Sequence, residues 1–451
     1  LVRSRGLGDV YKRQEQVNKA ICLLKNSGFE AYAVGGAVRD CLLGKVPFDW
    51  DITTSAHPEE TEKVFCGERI IETGIKHGTV TVIIDDMPLE ITTYRIDGDY
   101  TDHRHPQTVS FSDNLRDDLS RRDFTINTLC CNCDDKIIDA FGGKDDLNNK
   151  IIRCVGDPDT RFSEDALRIM RAVRFSAELG FTIEKSTSDS ILKNRQLLSD
   201  VSKERLQVEF TKLITGKYAT DVIRKYHAVI EVFIPELAPL VECEQHTKYH
   251  KYDVFEHTLH AVDAIDFNDR ILRLTMFFHD FGKPDAKTTD ENGTSHFKGH
   301  AVISEKKTRD ILKRLKFDNN TINEVSKLVL IHDMKSPRDK IQAKKMMCSL
   351  GDEAYLNLIK IKRADNMAKA DPHAIDENLK NMRSFYEEIK INNECYNLKS
   401  LAVNGDDIKA FGIAEGKEIK SSLDFLLNGV IEGKCQNRKD VLLEYLKENT
   451  K

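Results

Sequence analysis

Residues 30–53 read EAYAVGGAVRDCLLGKVPFDWDIT: a strand-like run ending in Gly35-Gly36, the start of a helix, and a second strand-like run carrying Asp49 and Asp51. A strand, a glycine turn and a helix in immediate succession bring backbone N–H groups and a helix N-terminus to one point. That arrangement receives a triphosphate, and Arg39 adds a cation. Residues two apart on a strand leave the same face, so Asp49 and Asp51 point together. Two like charges that close oppose each other unless a cation lies between them, and Mg2+ is the hard, oxygen-seeking ion for such a place. An ordinary solvated strand face would also carry Asp-x-Asp; the glycine turn just upstream favours the metal-holding reading. Glu90, on a neighbouring strand, is the expected third ligand.

The flanking patterns extend this head. Over residues 16–26, Val17, Ala20, Ile21 and Leu24 recur at helical spacing, and Ser27-Gly28 ends the run. Residues 30–34, 49–53 and 79–84 read as strands, the last paired with 89–94 through an Asp85-Asp86 turn. Residues 96–115 are polar and aperiodic, which marks a long mobile loop. Beyond Asp157 the apolar spacing is helical to the end. The predicted class is α+β, a head with a mixed β-sheet followed by all-α segments.

Residues 121–128 read RRDFTINT, and the adjacent guanidinium groups of Arg121 and Arg122 suit phosphate or ribose contacts. An ion pair with Asp123 is the structural alternative. Residues 164–175, EDALRIMRAVRF, have the spacing of an amphipathic helix with Arg168, Arg171 and Arg174 on one face. Asp165 and Arg168, three apart, suit an intrahelical salt bridge. They also match a base-reading pair. A carboxylate accepts from an exocyclic amino group while a guanidinium donates to the adjacent ring nitrogen, a pattern that cytosine and adenine share and that uracil and guanine reverse. The wrong bases would leave buried polar groups unsatisfied.

GGAVRDCLLG, FDWDIT, YRIDGDYTDHRHPQTVSF, RRDFTINT and EDALRIMRAVRFSAELGF follow one another in this order. With them the sequence from about residue 16 onward resembles the class II CCA-adding enzymes. These are bacterial-type tRNA nucleotidyltransferases, relatives of poly(A) polymerases, built on a polymerase-β-type head. The resemblance implies template-free addition of C, C and A to the tRNA 3′ end from CTP and ATP, with Mg2+ as cofactor and pyrophosphate as product. It implies that Asp49 and Asp51 hold Mg2+ with Glu90 beside them as the catalytic set. Gly36 and Arg39 then contact the nucleotide, and Arg122, Asp165, Arg168, Arg171 and Arg174 bind or read it. The family's flexible loop, which helps switch the pocket from C to A, matches residues 94–111. Related enzymes that add only A, and poly(A) polymerases, share these motifs.

Eight of the 14 histidines lie between His246 and His332. The set His257, His279-Asp280, His300, His332-Asp333 and Asp365 resembles an HD phosphohydrolase domain, in which imidazoles and carboxylates on successive helices hold one or two divalent ions. His257, His279, Asp280 and Asp365 are the expected ligands of a divalent transition metal. His246, His250, Glu256, His260 and His296 read as ordinary packed or exposed residues. Residues 398–447 resemble the family's tRNA-gripping tail. Within it, Asn404-Gly405-Asp406-Asp407 lacks the later Glu of a calcium loop and reads as a helix cap.

Across 451 residues, 40% hydrophobic and 31% charged is ordinary for a globular protein, and no apolar run approaches the ~20 residues of a membrane span. A net charge of −6 does not exclude RNA, because binding depends on local basic surface. The 11 cysteines are scattered without a paired Cys-x-x-Cys frame, which fits reduced thiols and a cytoplasmic location. Neither a membrane nor DNA is an expected partner. Residues 1–14, LVRSRGLGDVYKRQ, read as a non-native leader. The expected division is a head over 15–150, a nucleotide- and RNA-binding neck over 151–225, an HD domain over 226–390 and a tRNA-binding tail over 391–451. Two other functions remain: HD hydrolysis as the main activity, and a non-catalytic RNA-binding protein, which would have no use for paired metal carboxylates.

Overall fold

The computed structural model describes residues 15–449 except 48, 73, 76–77, 99–108, 247–250, 370–375 and 414–415. The leader, His250 and the middle of the loop 94–111 therefore lie outside the described residues. The chain forms two compact units, Leu1–Pro235 and Glu236–Lys451.

In the first unit, α1 (Glu15–Asn26) buries Val17, Ala20, Ile21 and Leu24, the residues its helical spacing selects. After it come β1 (Ala31–Val34), α2 (Gly36–Leu42), β2 (Asp51–Thr54), α3 (Pro58–Val64), β3 (Arg69–Ile71), β4 (Thr79–Ile84) and β5 (Met87–Thr93). Next are β6 (Arg95–Asp97), β7 (Val109–Phe111), α4 (Leu115–Ser120), β8 (Cys130–Cys131) and β9 (Ile137–Ile138). A seven-stranded sheet runs β3-β4-β5-β2-β1-β8-β9. It is mixed because β2 and β5 are parallel while its other pairs are antiparallel. The β4–β5 hairpin turns through Asp85 and Asp86 at φ of +47° and +63°, the conformation of a two-residue turn that matches strand twist.

Two sequence expectations change here. The strand holding the aspartates begins at Asp51, so Asp49 precedes the ladder. Burial still alternates, with Trp50 and Ile52 inside and Asp49 and Asp51 outside, so the two carboxylates remain on one side. The ends of the polar segment 96–115 are not loop: β6 and β7 pair antiparallel, and Phe111 packs edge-on against His57 at 4.8 Å.

The first unit continues with α5 (Gly143–Asn148), β10 (Ile151–Ile152), α6 (Pro158–Glu164), α7 (Leu167–Leu179), β11 (Thr182–Ile183), α8 (Lys185–Asn194), α9 (Lys203–Ile214) and α10 (Ala219–Ile230). Helix α7 is buried along most of its length and packs on α9 and α10. It ends at Gly180, whose φ of +70° suits glycine and whose missing Cβ leaves room for the Tyr218 ring.

In the second unit, α11 (Val254–Asp263), α12 (Arg270–Phe278), α13 (Lys283–Ala286), the short strands β12 (Thr288–Thr289) and β13 (Ser295–His296), α14 (His300–Arg314) and α15 (Asn319–Ile331) precede α16 (Lys340–Leu350), α17 (Asp352–Met367) and α18 (Asp376–Ile391). Helix α12 packs against α11, α15 and α17. The last helices, α19 (Gly405–Ala410), α20 (Lys417–Ile431) and α21 (Lys439–Asn449), close over a cluster that includes Ile408, Leu426, Leu427, Leu442 and Leu446. Asn404 caps α19 by accepting from Asp406 and Asp407 N–H groups, in a capping box with Asp407. None of the 11 cysteines is in a disulfide, and no helix among the described residues is long and apolar enough to cross a membrane.

Candidate functional site

The parallel pairing of β2 and β5 sets Asp51 opposite Glu90, and β1 sets Val34 opposite Asp51 at the strand end that leads into Gly35. Solvent reaches Asp49, Asp51 and Glu90, yet protein crowds Asp51 from most sides, so the three line an open recess. Burial raises the Asp51 carboxyl most; Arg122 draws it back, and Asp49 adds to the rise. Burial, then Asp51 and Asp49, raise Glu90. Each carboxylate makes the next harder to ionise, which is the electrostatic condition a divalent cation relieves.

Opposite them stand the cations. Gly35 takes a φ of +83°, and a Cβ there would meet Arg122 Nη1 at 3.1 Å and Asp51 Oδ2 at 3.8 Å. The first glycine of the pair therefore carries the conformational demand and the close approach; Gly36 simply opens α2, with Arg39 Nη2 3.7 Å from where its Cβ would be. Gly35→Ala is expected to cost about 1–3 kcal/mol for a positive-φ backbone that glycine alone adopts readily and to displace Arg122, so the variant should melt earlier and, if Arg122 contacts the nucleotide as the resemblance implies, bind CTP more weakly by calorimetry. Unchanged CTP affinity would remove Arg122 from the nucleotide site.

Arg39 is buried, donating from Nη1 to Asn127 Oδ1 at 2.8 Å and from Nε to Asp40 Oδ1 at 2.9 Å. Its guanidinium lies 4.8 Å from the centre of the Phe175 ring, which Arg171 and Arg174 also approach, at 5.2 and 3.9 Å. Phe175 thus gathers three arginines around one aromatic ring. Arg171 also binds Asp123 (2.7 Å), and Arg174 pairs with Glu209 (2.7 Å) and Glu178 (3.1 Å). Burial disfavours a charged Asp123, but Arg171 and a bond from Asn127 hold its carboxyl well below the usual range. Of the arginines beside Asp123 in sequence, Arg121 bonds Asp118 at 2.7 and 2.9 Å, and Arg122 lies 3.7 Å from the same carboxylate. Thr53 on β2 donates to the other Asp118 oxygen at 3.0 Å, which ties the two arginines to the sheet.

The segment 164–175 is not one helix. Asp165 is the C-cap of α6 with an extended backbone, and α7 starts at Leu167. The intrahelical pair expected from spacing is replaced by two others. Arg168 Nη1 donates to Glu164 (2.7 Å) and the Arg161 carbonyl (3.2 Å), and its Nη2 to the Arg121 carbonyl (2.7 Å). Asp165 accepts from Arg205 Nη2 on α9 at 3.0 and 3.2 Å and from the Leu167 N–H. Asp118, Asn127, Phe175, Arg205 and Glu209 are site neighbours that sequence spacing did not single out. Asn127 and Phe175 at least lie inside the quoted motifs.

In the second unit, His257, His279 and Asp280 are buried together, with Asp365 beside them. His257 Nε2 lies 3.0 Å from Asp365 Oδ1 and 3.4 Å from Asp280 Oδ2; His279 Nε2 lies 3.8 and 3.1 Å from the same two oxygens. Two groups of potential metal ligands result, His257 with His279 and Asp365, and Asp280 with His300 and His332. Asp333 is exposed and in neither group. The remaining histidines have ordinary partners: His246 pairs with Glu244, His260 stacks on Tyr252, and His296 pairs with Asp290.

Family models cover much of this chain. Residues 31–153 match the poly A polymerase head domain, 180–240 an RNA- and SrmB-binding site of polymerase A, and 288–446 a second domain of tRNA nucleotidyltransferases. The CCA-adding enzyme of Bacillus velezensis is 33% identical over 94% of this chain and 95% of its own length; that of Bacillus subtilis is 33% identical over 94% and 96%. The crystal structure of the Bacillus stearothermophilus CCA-adding enzyme in complex with CTP matches with a TM-score of 0.70 and 30% identity, covering 96% of each chain. The Thermotoga maritima CCA-adding enzyme complexed with tRNA shares the fold at a TM-score of 0.64 and 20% identity, over 99% and 98%. A third of the residues identical over nearly the whole of both chains, on the same fold, places this protein in the CCA-adding enzyme family.

Proposed function

We propose that this chain completes tRNA 3′ ends by adding C, C and A from CTP and ATP without a nucleic-acid template. The observation that carries the reading is Asp51 beside Glu90 across β2 and β5, with Asp49 on the same side and Arg122 facing them. Asp49 and Asp51, with Glu90 adjacent, would hold Mg2+; three carboxylates that raise one another fit such an ion. When bound, it stabilises the attacking 3′ oxygen and the departing pyrophosphate. The tRNA 3′ oxygen bonds to the α-phosphorus, the bond from that phosphorus to the bridging oxygen breaks, pyrophosphate leaves and the hydroxyl proton passes to solvent. Arg122 and Arg39 lie where the triphosphate enters, beside the glycine turn. Arg171 and Arg174 brace the same wall through Phe175. Asp165 and Arg168 read the base, the first held by Arg205 and the second reaching a base by exchanging one of its present bonds. On this reading residues 15–150 are the head, 151–225 the neck, 226–390 the HD domain and 391–451 the tail, in a cytoplasmic enzyme.

The test is extension of tRNA lacking its terminal CCA, with Mg2+ and each nucleotide alone and together, resolved nucleotide by nucleotide. CTP alone is expected to add two residues, and CTP with ATP three, followed by a stop. Tailing from ATP alone would make the enzyme a poly(A) polymerase, and A added only to tRNA ending in CC would make it an A-adding enzyme. A second activity is favoured by the convergence of His257, His279, Asp280 and Asp365. These residues would hold a divalent transition ion, whose chemistry is attack of water on a phosphoester.

A further inference from the structure

Residues 114–122 read NLRDDLSRR, so Asp118 lies three residues before Arg121 and four before Arg122. Helical spacing lets one carboxylate face both guanidinium groups. The six residues of α4 deliver that arrangement: Asn114 caps the helix by accepting from the Arg116 N–H, and Asp118 is turned inward with no exposed surface. Burial disfavours its charge, yet Arg121 and Arg122 more than offset this and hold the carboxyl below its usual range. Asp118 therefore stays an anion in the interior of the head.

The two arginines use that anion differently. Arg121 directs Nε and Nη2 at Oδ1, at 2.9 and 2.7 Å. Thr53, wholly buried and two residues along β2 from Asp51, donates to Oδ2 at 3.0 Å. Arg122 comes only to 3.7 Å from Oδ2, and its Nε is buried without a hydrogen-bond partner among the described residues. A Cβ on Gly35 would lie 3.1 Å from Arg122 Nη1 and 3.8 Å from Asp51 Oδ2, so this guanidinium reaches the edge of the metal carboxylates. A guanidinium carries five N–H donors. Those of Arg121 are engaged, whereas Arg122 is held by charge with its donors in reserve. The end of the same helix receives two further arginines on its backbone: the Ser120 carbonyl accepts from Arg161 at 3.1 Å and the Arg121 carbonyl from Arg168 at 2.7 Å. Helix ends leave such carbonyls without an intrahelical donor. Strand β2 and Arg122 thus meet the Asp118 side chain, and Arg168 meets only the backbone.

We propose that Asp118 is a positioning residue for nucleotide addition: it fixes Arg122 between itself and Asp51, so that a guanidinium with free donors meets the triphosphate beside the metal carboxylates. This rests on the reading of Arg122 as a nucleotide contact. Two bonds from Arg121 and one from Thr53 set the direction of the carboxylate, and Thr53 ties that direction to the strand that carries Asp51. Arg121 is the lock of the carboxylate rather than a second triphosphate ligand. A purely architectural ion pair needs only Arg121 and leaves the second guanidinium, drawn close but not bonded, without a purpose. A contacting group displaced by about 1 Å costs on the order of a hundredfold in rate, so a residue that never touches the nucleotide can govern its turnover. CTP and ATP share the triphosphate, and both depend on Asp118 alike. The choice of base, read by Asp165 and Arg168, does not.

The test is a double-mutant cycle on tRNA extension by the full chain. It measures kcat/KM for CTP, ATP and UTP in Asp118→Asn, Thr53→Val and Arg122→Ala, and in each of the first two combined with Arg122→Ala. Asp118→Asn is expected to lower the values for CTP and ATP by one common factor of about 10- to 100-fold, with the CTP/UTP ratio kept. Thr53→Val, which removes only a hydroxyl, should lower both by about three- to tenfold. Beside Arg122→Ala each change should matter less than about twofold, because the group through which it acts is gone. Losses that persist in full beside Arg122→Ala make Asp118 a structural residue and overturn the proposal, as does a CTP/UTP ratio that falls with the rate. Wild-type kcat/KM in Arg122→Ala itself overturns the reading on which the proposal rests. Where Asp118→Asn does not fold, Thr53→Val, which keeps the native shape, decides the cycle alone.

Discussion

Asp51→Ala is expected to lower the rate of nucleotide incorporation about a thousandfold or more, the consequence of losing several kcal/mol of transition-state stabilisation by a positioned ion. It is not expected to destabilise the protein. Asp51 stands on a central strand beside Glu90, and both carboxyls are raised by burial and by each other. A carboxyl raised in the folded state weakens the fold once pH exceeds its pKa, because the charged form is the disfavoured one. At neutral pH without metal, Asp51→Asn should therefore melt at the wild-type temperature or above it, while incorporating nucleotide as poorly as Asp51→Ala. Glu90→Gln should be milder, about 10- to 100-fold, as for a group that orients the ion's surroundings. Incorporation within tenfold of wild type in Asp51→Ala would move the metal site elsewhere. A large fall in melting temperature would make Asp51 a structural residue.

The parts of this site that the sequence revealed are those where local pattern and tertiary structure agree. The helical spacing of Val17, Ala20, Ile21 and Leu24 selects the buried face of α1, and the Asp85-Asp86 turn fixes the β4–β5 register. The glycine pair marks a left-handed residue, but only the structure shows that Gly35 is the one that matters, because its lack of a Cβ makes room for Arg122. Spacing failed where a break hides between two amphipathic segments. Residues 164–175 keep helical periodicity across the α6–α7 junction, so the extended backbone at Asp165 leaves no trace in the pattern. It failed again where partners are distant in sequence, as with Arg205 on Asp165 and Glu209 on Arg174. In the second unit the HD pattern of the sequence includes His300 and His332-Asp333, but the pattern does not show which of these side chains come together. His300 and His332 meet only because α14 and α15 pack together, with His300 opening one and His332 capping the other.

That long-range pairing gives the second large prediction. Asp165→Ala is expected to reduce the preference for CTP over UTP, measured as the ratio of kcat/KM values, by about a hundredfold or more. A site built to accept from an amino group rejects a base lacking one through an unpaired buried carboxylate, and such sites discriminate by up to roughly 10⁴–10⁵. Removing the carboxylate removes the penalty for uracil as well as the bond to cytosine. Asp165→Asn should go further toward UTP, because its amide can donate to the uracil carbonyl. Arg205 acts one step away: it binds both Asp165 oxygens at 3.0 and 3.2 Å and so sets the direction of the carboxylate. Arg205→Ala should raise KM for CTP and erode the ratio by about tenfold, in the range of lost orienting partners. Arg205→Lys should restore part of the affinity but less of the discrimination, since a point charge lacks the planar fork. If Arg205→Ala lowers only the melting temperature, the pair is structural. If Asp165→Ala leaves the CTP/UTP ratio unchanged, base reading belongs to other residues, and the bonds of Arg168 to Glu164 and the Arg121 carbonyl are then architecture alone.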